Sequence, residues 1–157
     1  MTHVRWCAAL LLCVACDPAP SASGEKPPAS ASAPARTQRQ QCAALISTVN
    51  ASHDRLEKIQ QQFKIAPDIP AELRAMADAM DKSVLALGNV PVTTPELKTF
   101  VERYTAMAKA IAKHGREVAD GADKKDLDAM ATAQISLSSA IAQEDPIVDD
   151  LNKRCSE

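Results

Sequence analysis

The sequence predicts an all-α domain over residues 37–157, built as an antiparallel up-down-up-down four-helix bundle. Apolar residues recur at intervals of three and four from Thr37 onward, and no stretch alternates with the period of a strand. Cys42 and Cys155 stand near the start of the first predicted helix and the end of the last. An up-down-up-down bundle brings those two places to the same end, so we expect a Cys42–Cys155 disulfide.

The first two helices are predicted from their start signals, their apolar stripes and the prolines between them. Thr37 and Gln40 form a plausible capping box, and Pro67 and Pro70 interrupt the first helix. Gly88 ends the second helix. The expected inward positions are Cys42, Leu45, Val49, Leu56, Ile59 and Phe63, followed by Leu73, Met76, Met80, Val84 and Leu87.

The third helix is predicted to begin at the threonines before Pro95, because threonine caps helices and proline suits their first position. We expect it to end at Gly121 and the fourth to begin at Asp123. The expected inward positions are Leu97, Phe100, Tyr104, Met107, Ile111 and Val118, then Leu127, Met130, Leu137, Ile141, Ile147, Val148 and Leu151.

Pro146 should disturb the last helix, because proline removes a backbone donor and clashes with the preceding turn. We expect the helix to kink or break there, with Asp145 able to cap a restart.

The first 15 residues have the pattern of a signal segment. Arg5 supplies a positive charge, and residues 6–15 form an apolar run. A membrane-spanning helix needs about 20 apolar residues, so this run is too short to be a stable span.

The segment ends in Val14, Ala15 and Cys16, which resembles the lipobox of bacterial lipoproteins, although Cys13 stands where that class usually has leucine. The resemblance implies that the Cys16 thiol receives a diacylglycerol, that residues 1–15 are removed and that the new N-terminus is acylated. The alternative is an ordinary secretory signal cleaved near Ala22, which would leave Cys16 as an unpaired thiol.

Residues 16–36 are rich in proline, alanine and serine and have little to bury. We expect a disordered tether that reaches up to about 60 Å from the membrane when extended. Cys7 and Cys13 leave with the signal and Cys16 takes the lipid, so Cys42 and Cys155 remain as a pair for an oxidising compartment.

The sequence holds no recognised catalytic motif, and we expect no enzyme, no cofactor and no metal site. His53 with Glu57, and His114 with Glu117, are each spaced to share a helix face. Each pair could supply two metal ligands, but a solvated ion pair is the commoner outcome.

His114 falls on the same heptad track as Phe100 and Met107, and Gln134 and Ser138 approach the apolar stripe of the fourth helix. We expect these three residues to form a small polar layer that sets helix register. The other reading is a pocket for a small molecule.

The formal net charge of −2 and an aromatic content of 3% argue against a nucleic-acid-binding surface. The leading expectation is an envelope lipoprotein, anchored to a membrane and facing the periplasm, with a structural or protein-interaction role. The alternative is a periplasmic module that binds a small ligand or a metal. Asp17 fits the rule for inner-membrane retention in enteric bacteria, but the choice of membrane stays open.

Overall fold

The computed structural model describes residues 37–156, which fold into five helices. The helices are α1 (Gln38–Ile65), α2 (Ile69–Gly88), α3 (Pro95–Lys124), α4 (Leu127–Ile141) and α5 (Glu144–Cys155). The all-α prediction is confirmed for this part of the chain. The signal segment, the tether and Cys16 lie outside the described residues.

The helix starts follow the expected capping chemistry. The Thr37 hydroxyl accepts from the Gln40 backbone N–H at 3.3 Å, and the Gln40 side chain accepts from the Thr37 N–H at 3.0 Å, which confirms the capping box. Asp68 caps α2, and Asp126 caps α4, each through one carboxylate oxygen 3.0 Å from a backbone nitrogen. Pro95 is the first residue of α3. These contacts satisfy donors that a helix start otherwise leaves open.

The core is organised around α3, which buries eleven of its 30 residues. α2 and α4 pack along α3, and α5 also contacts it, whereas α1 packs against α2 and α5. All six apolar positions predicted to face inward on α3 are buried, and they are Leu97, Phe100, Tyr104, Met107, Ile111 and Val118.

The end of α3 and the start of α4 differ from the sequence prediction. Gly121 does not end α3, because the helix continues to Lys124 and ends at Lys125 in the left-handed conformation (φ 56°). The Lys125 and Asp126 N–H groups donate to the carbonyls of Ala122 and Gly121, which is the hydrogen-bond pattern of a Schellman motif. α4 then begins after Asp126, so Asp123 is not its start.

Gly121 is a close-approach glycine and not a helix terminator. A Cβ at this position would lie 2.7 Å from Met130 Cγ and 3.2 Å from the Met130 backbone nitrogen. The missing side chain therefore lets the first turn of α4 approach the last turns of α3.

The interruption before the last helix lies at Ala142 and Gln143. Gln143 occupies the N-cap position of α5, and Asp145 is the second residue of the helix, so the expectation of an Asp145 cap is wrong. Pro146 is the third residue of α5, within the first turn, where its missing N–H would have no partner inside the helix.

The inward face of α4 was wrongly predicted at two positions. Leu127 and Ile141 are exposed, whereas Ala133 and Ala140 are the buried residues of this helix. Met130 lies against Gly121 of α3 and Leu137 packs against the core, whereas Leu127, Ile135 and Ile141 are exposed.

Two reciprocal arginine clasps join α2 and α3, and each helix carries the pattern Arg-x-x-x-Asp-x-x-Asp. Arg74 on α2 donates to Asp120 at 2.8 Å and to Asp123 at 2.6 Å on α3. On the same two helices, Arg116 donates to Asp78 at 2.7 Å and to Asp81 at 2.6 Å. Hydrogen bonds to these carboxylates raise the pKa of both guanidinium groups. The clasps are largely exposed, so they fix the register of the two helices more than they add stability.

A disulfide joins Cys42 in the second turn of α1 to Cys155 at the end of α5, with the two Cα atoms 5.6 Å apart. The pairing predicted from the sequence is present. The bridge spans a sequence separation of 113 residues and fixes the two ends of the domain to each other.

Gly121→Ala should destabilise the domain by about 1–3 kcal/mol, because the added methyl group meets Met130 at close range. Gly88→Ala is the matched control, since no described heavy atom lies within 4 Å of its added Cβ. That change should be neutral or stabilise by up to about 1 kcal/mol, by restricting the unfolded chain. Urea unfolding measures both, and equal stability of the two variants would contradict the close approach.

Cys155→Ser should still fold but lose about 2–4 kcal/mol of unfolding free energy, because the bridge restricts a long loop in the unfolded chain. Thermal unfolding with and without a reducing agent measures the loss. The reductant should lower the melting temperature of the wild type to that of the variant. A wild type insensitive to complete reduction would show that the bridge contributes nothing.

Candidate functional site

The three residues predicted to form a polar layer or pocket do not come together. His114 is half-buried on α3, with 22% of its side chain exposed, and it lines a cleft between α3 and α4. Gln134 and Ser138 are exposed on α4 and do not line that cleft. The predicted grouping is therefore wrong, and Thr132 and Ser136 are the α4 hydroxyl residues that face the cleft.

The reason lies in the difference between heptad and helix periods. A straight α-helix drifts by about 20° per heptad relative to a seven-residue repeat. The track that is buried at Phe100 and Met107 has therefore rotated away from the core by His114, and Gly115 and Val118 take the buried positions.

The α3–α4 cleft is open and has a volume of about 850 Å³. Its polar lining consists of His114, Glu117, Asp120, Lys124, Asp126, Asp128, Thr132 and Ser136. Several of these groups make structural contacts. His114 Nδ1 lies 2.7 Å from a Glu117 oxygen, Asp120 accepts from Arg74, and Asp126 caps α4. Much of the polar lining thus belongs to the helix ends and the clasp.

The two histidine–carboxylate pairs considered as metal ligands have different outcomes. His114 contacts Glu117 as the spacing suggests, whereas His53 Nε2 lies 3.2 Å from Glu144 Oε1 on α5 and Glu57 accepts a hydrogen bond from Gln61. Among residues 37–156, no group of three or more histidine, cysteine, aspartate or glutamate side chains is arranged to hold a metal ion.

A polar layer does cross the bundle core, at positions that the sequence analysis missed. Ser52 on α1 and Ser83 on α2 are buried and share a hydrogen bond between their hydroxyl groups. Ser83 also donates to the Ala79 carbonyl at 2.9 Å and accepts from Arg55 Nη1 at 3.2 Å. The layer fixes the register of α1 against α2, which is the role expected of buried polar groups in bundles.

Tyr104 extends this layer from α3. Its ring is buried beside Phe100, with ring centroids 5.8 Å apart, and its hydroxyl group lies near Ser52 and Glu144. That hydroxyl has no hydrogen bond of good geometry to the described residues. Burial raises the pKa of Tyr104 above its ordinary value of 10.0, and the charge of Glu144 adds to the rise, although the contact with Ser52 opposes it.

A second polar contact crosses from α1 to the start of α3. The buried Gln41 side chain accepts from the backbone N–H groups of Thr93 at 2.7 Å and Thr94 at 3.2 Å, and its amide donates to the Thr93 hydroxyl at 3.0 Å. Thr94 is the N-cap residue of α3 but makes no capping hydrogen bond through its own side chain. Thr94 thus occupies the predicted cap position without the capping hydrogen bond, and Gln41 from α1 holds the two residues that precede α3.

A smaller cleft of about 560 Å³ lies beside the disulfide, lined by Gln38, Arg39, Cys42, Arg154, Cys155 and Ser156. Arg154 Nε donates to Asp150 at 3.2 Å, one turn earlier on α5. This cleft marks the end of the domain at which α1 starts and α5 finishes.

No family model, curated protein or solved structure matches this chain. Within residues 37–156, no helix is both long enough and apolar enough to cross a membrane. Cys16, the predicted lipid site, is outside the described residues, so its lipidation stays a prediction.

The buried polar layer is difficult to predict from the sequence. Ser52 and Ser83 follow the apolar stripes of α1 and α2 at helical spacing, and this was the available signal. Serine is also common on exposed helix faces, so the spacing alone does not identify the layer.

Tyr104→Phe should leave the unfolding free energy unchanged or raise it by up to about 1 kcal/mol near neutral pH, because it removes a buried hydroxyl without a good partner. Above pH 10 the wild type should lose stability relative to Tyr104→Phe. The folded state holds the tyrosine proton more tightly than the unfolded state, so rising pH favours unfolding. Urea unfolding of both proteins at a series of pH values measures this difference.

Ser83→Ala is the control, and it should lower the unfolding free energy by about 1–2 kcal/mol. The Ser83 hydroxyl has three hydrogen bonds, whereas that of Tyr104 has none of good geometry. Tyr104 is the one tyrosine of the chain, so tyrosinate absorbance reports its ionisation directly. Ionisation at the pH of a free tyrosine, in protein that stays folded, would contradict the burial argument.

Proposed function

We propose that this protein is a bacterial envelope lipoprotein, held at a membrane through Cys16, whose helical domain has a non-enzymatic structural or protein-interaction role in the periplasm. The observation that carries the proposal is the run of Val14, Ala15 and Cys16 directly after a short apolar segment. In the lipoprotein class such a run marks the cysteine that receives the lipid.

The disulfide supports the assignment of compartment. Cys42 and Cys155 are joined in the folded domain, and disulfides persist in oxidising compartments such as the periplasm. Their pairing also leaves Cys16 free of a role in the domain. The cysteine is therefore open to the modification that its surroundings favour.

The finer architecture that we propose is the antiparallel up-down-up-down bundle, with α4 and α5 together serving as the fourth helix. The clasps support it, because Arg74 contacts the later part of α3 whereas Arg116, earlier on α3, contacts Asp78 and Asp81 further along α2. That order of contacts is typical of antiparallel neighbours. The disulfide between α1 and α5 fits the same arrangement.

The use of polar side chains favours a structural role for the interior. Ser52 and Ser83 share a hydrogen bond between α1 and α2, Ser83 also bonds to the Ala79 carbonyl of its own helix, and Gln41 bonds to the segment before α3. In the α3–α4 cleft, Asp120 and Asp126 bond to Arg74 and to the start of α4. These groups hold the helices in position, which favours a rigid bundle that works through its surface.

Cys16→Ser should abolish membrane anchoring in a bacterium that processes lipoproteins, because the modified thiol is lost. The wild type should partition into a detergent phase, and mass spectrometry should find an acylated N-terminus at Cys16. The variant should lack that lipid mass and should not be cleaved before residue 16.

Cys13→Ser is the matched control, since it removes a cysteine three residues earlier and should leave lipidation intact. Unmodified wild-type protein whose N-terminus lies beyond Cys16 would refute the anchor and favour an ordinary secretory signal cleaved near Ala22.

A further inference from the structure

The last helix, α5, depends on the disulfide more than α1, the helix at the other side of the bridge, does. It is 12 residues long and buries two of them, Ile147 and Leu151, whereas α1 is 28 residues long and buries five. An isolated helix of this length is marginal in water. The bond from Cys155 to Cys42 is therefore a large part of what keeps α5 in place.

The polar contacts of the two helices differ in the same way. On α5, Glu144 lies 3.2 Å from His53. Further along, Asp150 lies 3.2 Å from Arg103. Both pairs are partly exposed, so each contributes little to stability. The α1 helix instead has the buried serine contact with α2 and the buried glutamine contact with the start of α3. Loss of the bridge should therefore free α5 and leave α1 packed.

The two cysteines of the bridge differ in exposure. Both line the cleft of about 560 Å³ at this end of the domain. Cys155 is partly exposed, whereas Cys42 is 4% exposed. The guanidinium groups of Arg39 and Arg154 belong to the same cleft, and positive charge favours the thiolates that take part in thiol–disulfide exchange. An external thiol therefore has easier access to the sulfur of Cys155.

We infer that the bridge is a redox latch: a dithiol reductant attacks Sγ of Cys155, and reduction releases α5 while α1 to α4 stay folded. A thiolate of the dithiol bonds to Cys155 Sγ, and the bond to Cys42 breaks with its electron pair on Cys42 Sγ, which takes up a proton. The second thiolate of the dithiol then attacks its own bound sulfur and closes the dithiol into a disulfide. Cys155 leaves as a thiolate and is protonated. The dithiol loses two electrons and the bridge gains two.

The oxidised protein is the closed state of this latch and the reduced protein is the open state. In the closed state α5 covers parts of α1 and α3. Glu144, the first residue of α5, lies near the buried hydroxyl of Tyr104. Reduction thus exposes surface of α1 and α3 that the closed state keeps covered. This inference goes beyond the role proposed above and does not depend on the lipid.

Hydrogen exchange of backbone amides tests the release of α5. The full chain is measured before and after complete reduction by dithiothreitol. Reduction should raise the exchange rate of α5 amides relative to α3 amides by about tenfold or more, because α5 can then open without the other helices. Cys155→Ser is the control, and it should show the ratio of the reduced wild type with or without dithiothreitol. A ratio that reduction leaves unchanged would overturn the latch, as would unfolding of all five helices on reduction.

The point of attack is tested with a monothiol, which stops the reaction at the mixed disulfide. Oxidised protein is exposed briefly to reduced glutathione, quenched in acid and mapped by mass spectrometry of its peptides. Glutathione should be found on Cys155 about tenfold or more often than on Cys42, because exchange rates depend on access to the attacked sulfur. Equal labelling of the two cysteines, or a preference for Cys42, would show that attack at Cys155 is wrong.

Discussion

Burial of one face of α3 is the interaction to which the rest of the domain is fitted. That helix brings its aromatic residues, Phe100 and Tyr104, into the core, and α2, α4 and α5 each contact it. Gly121 permits the close approach of α4, because a Cβ added there would lie 2.7 Å from Met130 Cγ, whereas a Cβ added at Gly115 would make ordinary contact with Leu73 O of α2 at 3.5 Å. Protein interiors are close-packed. The shape of the α3 surface, including the space at its glycines, therefore determines where α2 and α4 can pack.

The polar contacts add specificity to this packing. Apolar side chains alone permit a helix to slide or rotate at small cost, whereas Ser52 and Ser83 bond well in one register. Gln41 has a similar role at the contact with the start of α3, because four groups of Thr93 and Thr94 bond to its side chain. The α1 helix is therefore positioned by hydrogen bonds to both α2 and the start of α3.

The sequence was most informative where amphipathic periodicity is strong, and α3 is the clearest example, with every predicted inward residue buried. It was least informative for α4, where large apolar residues lie on the exposed side (Leu127, Ile135 and Ile141) and no single apolar stripe faces the core. The prediction placed Leu127 and Ile141 inside, but the buried residues of α4 are Ala133 and Ala140. His114 was wrongly predicted to face the core, because a seven-residue repeat drifts around the surface of a straight α-helix by about 20° per heptad. The Gln41 contact joins residues 52 positions apart, and local patterns do not encode such pairs.

The position of the disulfide also determines how the domain would respond to mechanical load. Tension transmitted along the chain before Thr37 enters α1 just ahead of Cys42 and passes through a covalent bond into α5. When the load leaves the domain at its C-terminus, the disulfide carries it directly from Cys42 to Cys155. The stretched part is then the short segment before the bridge, and the helices between the two cysteines bear no tension until the bond is reduced.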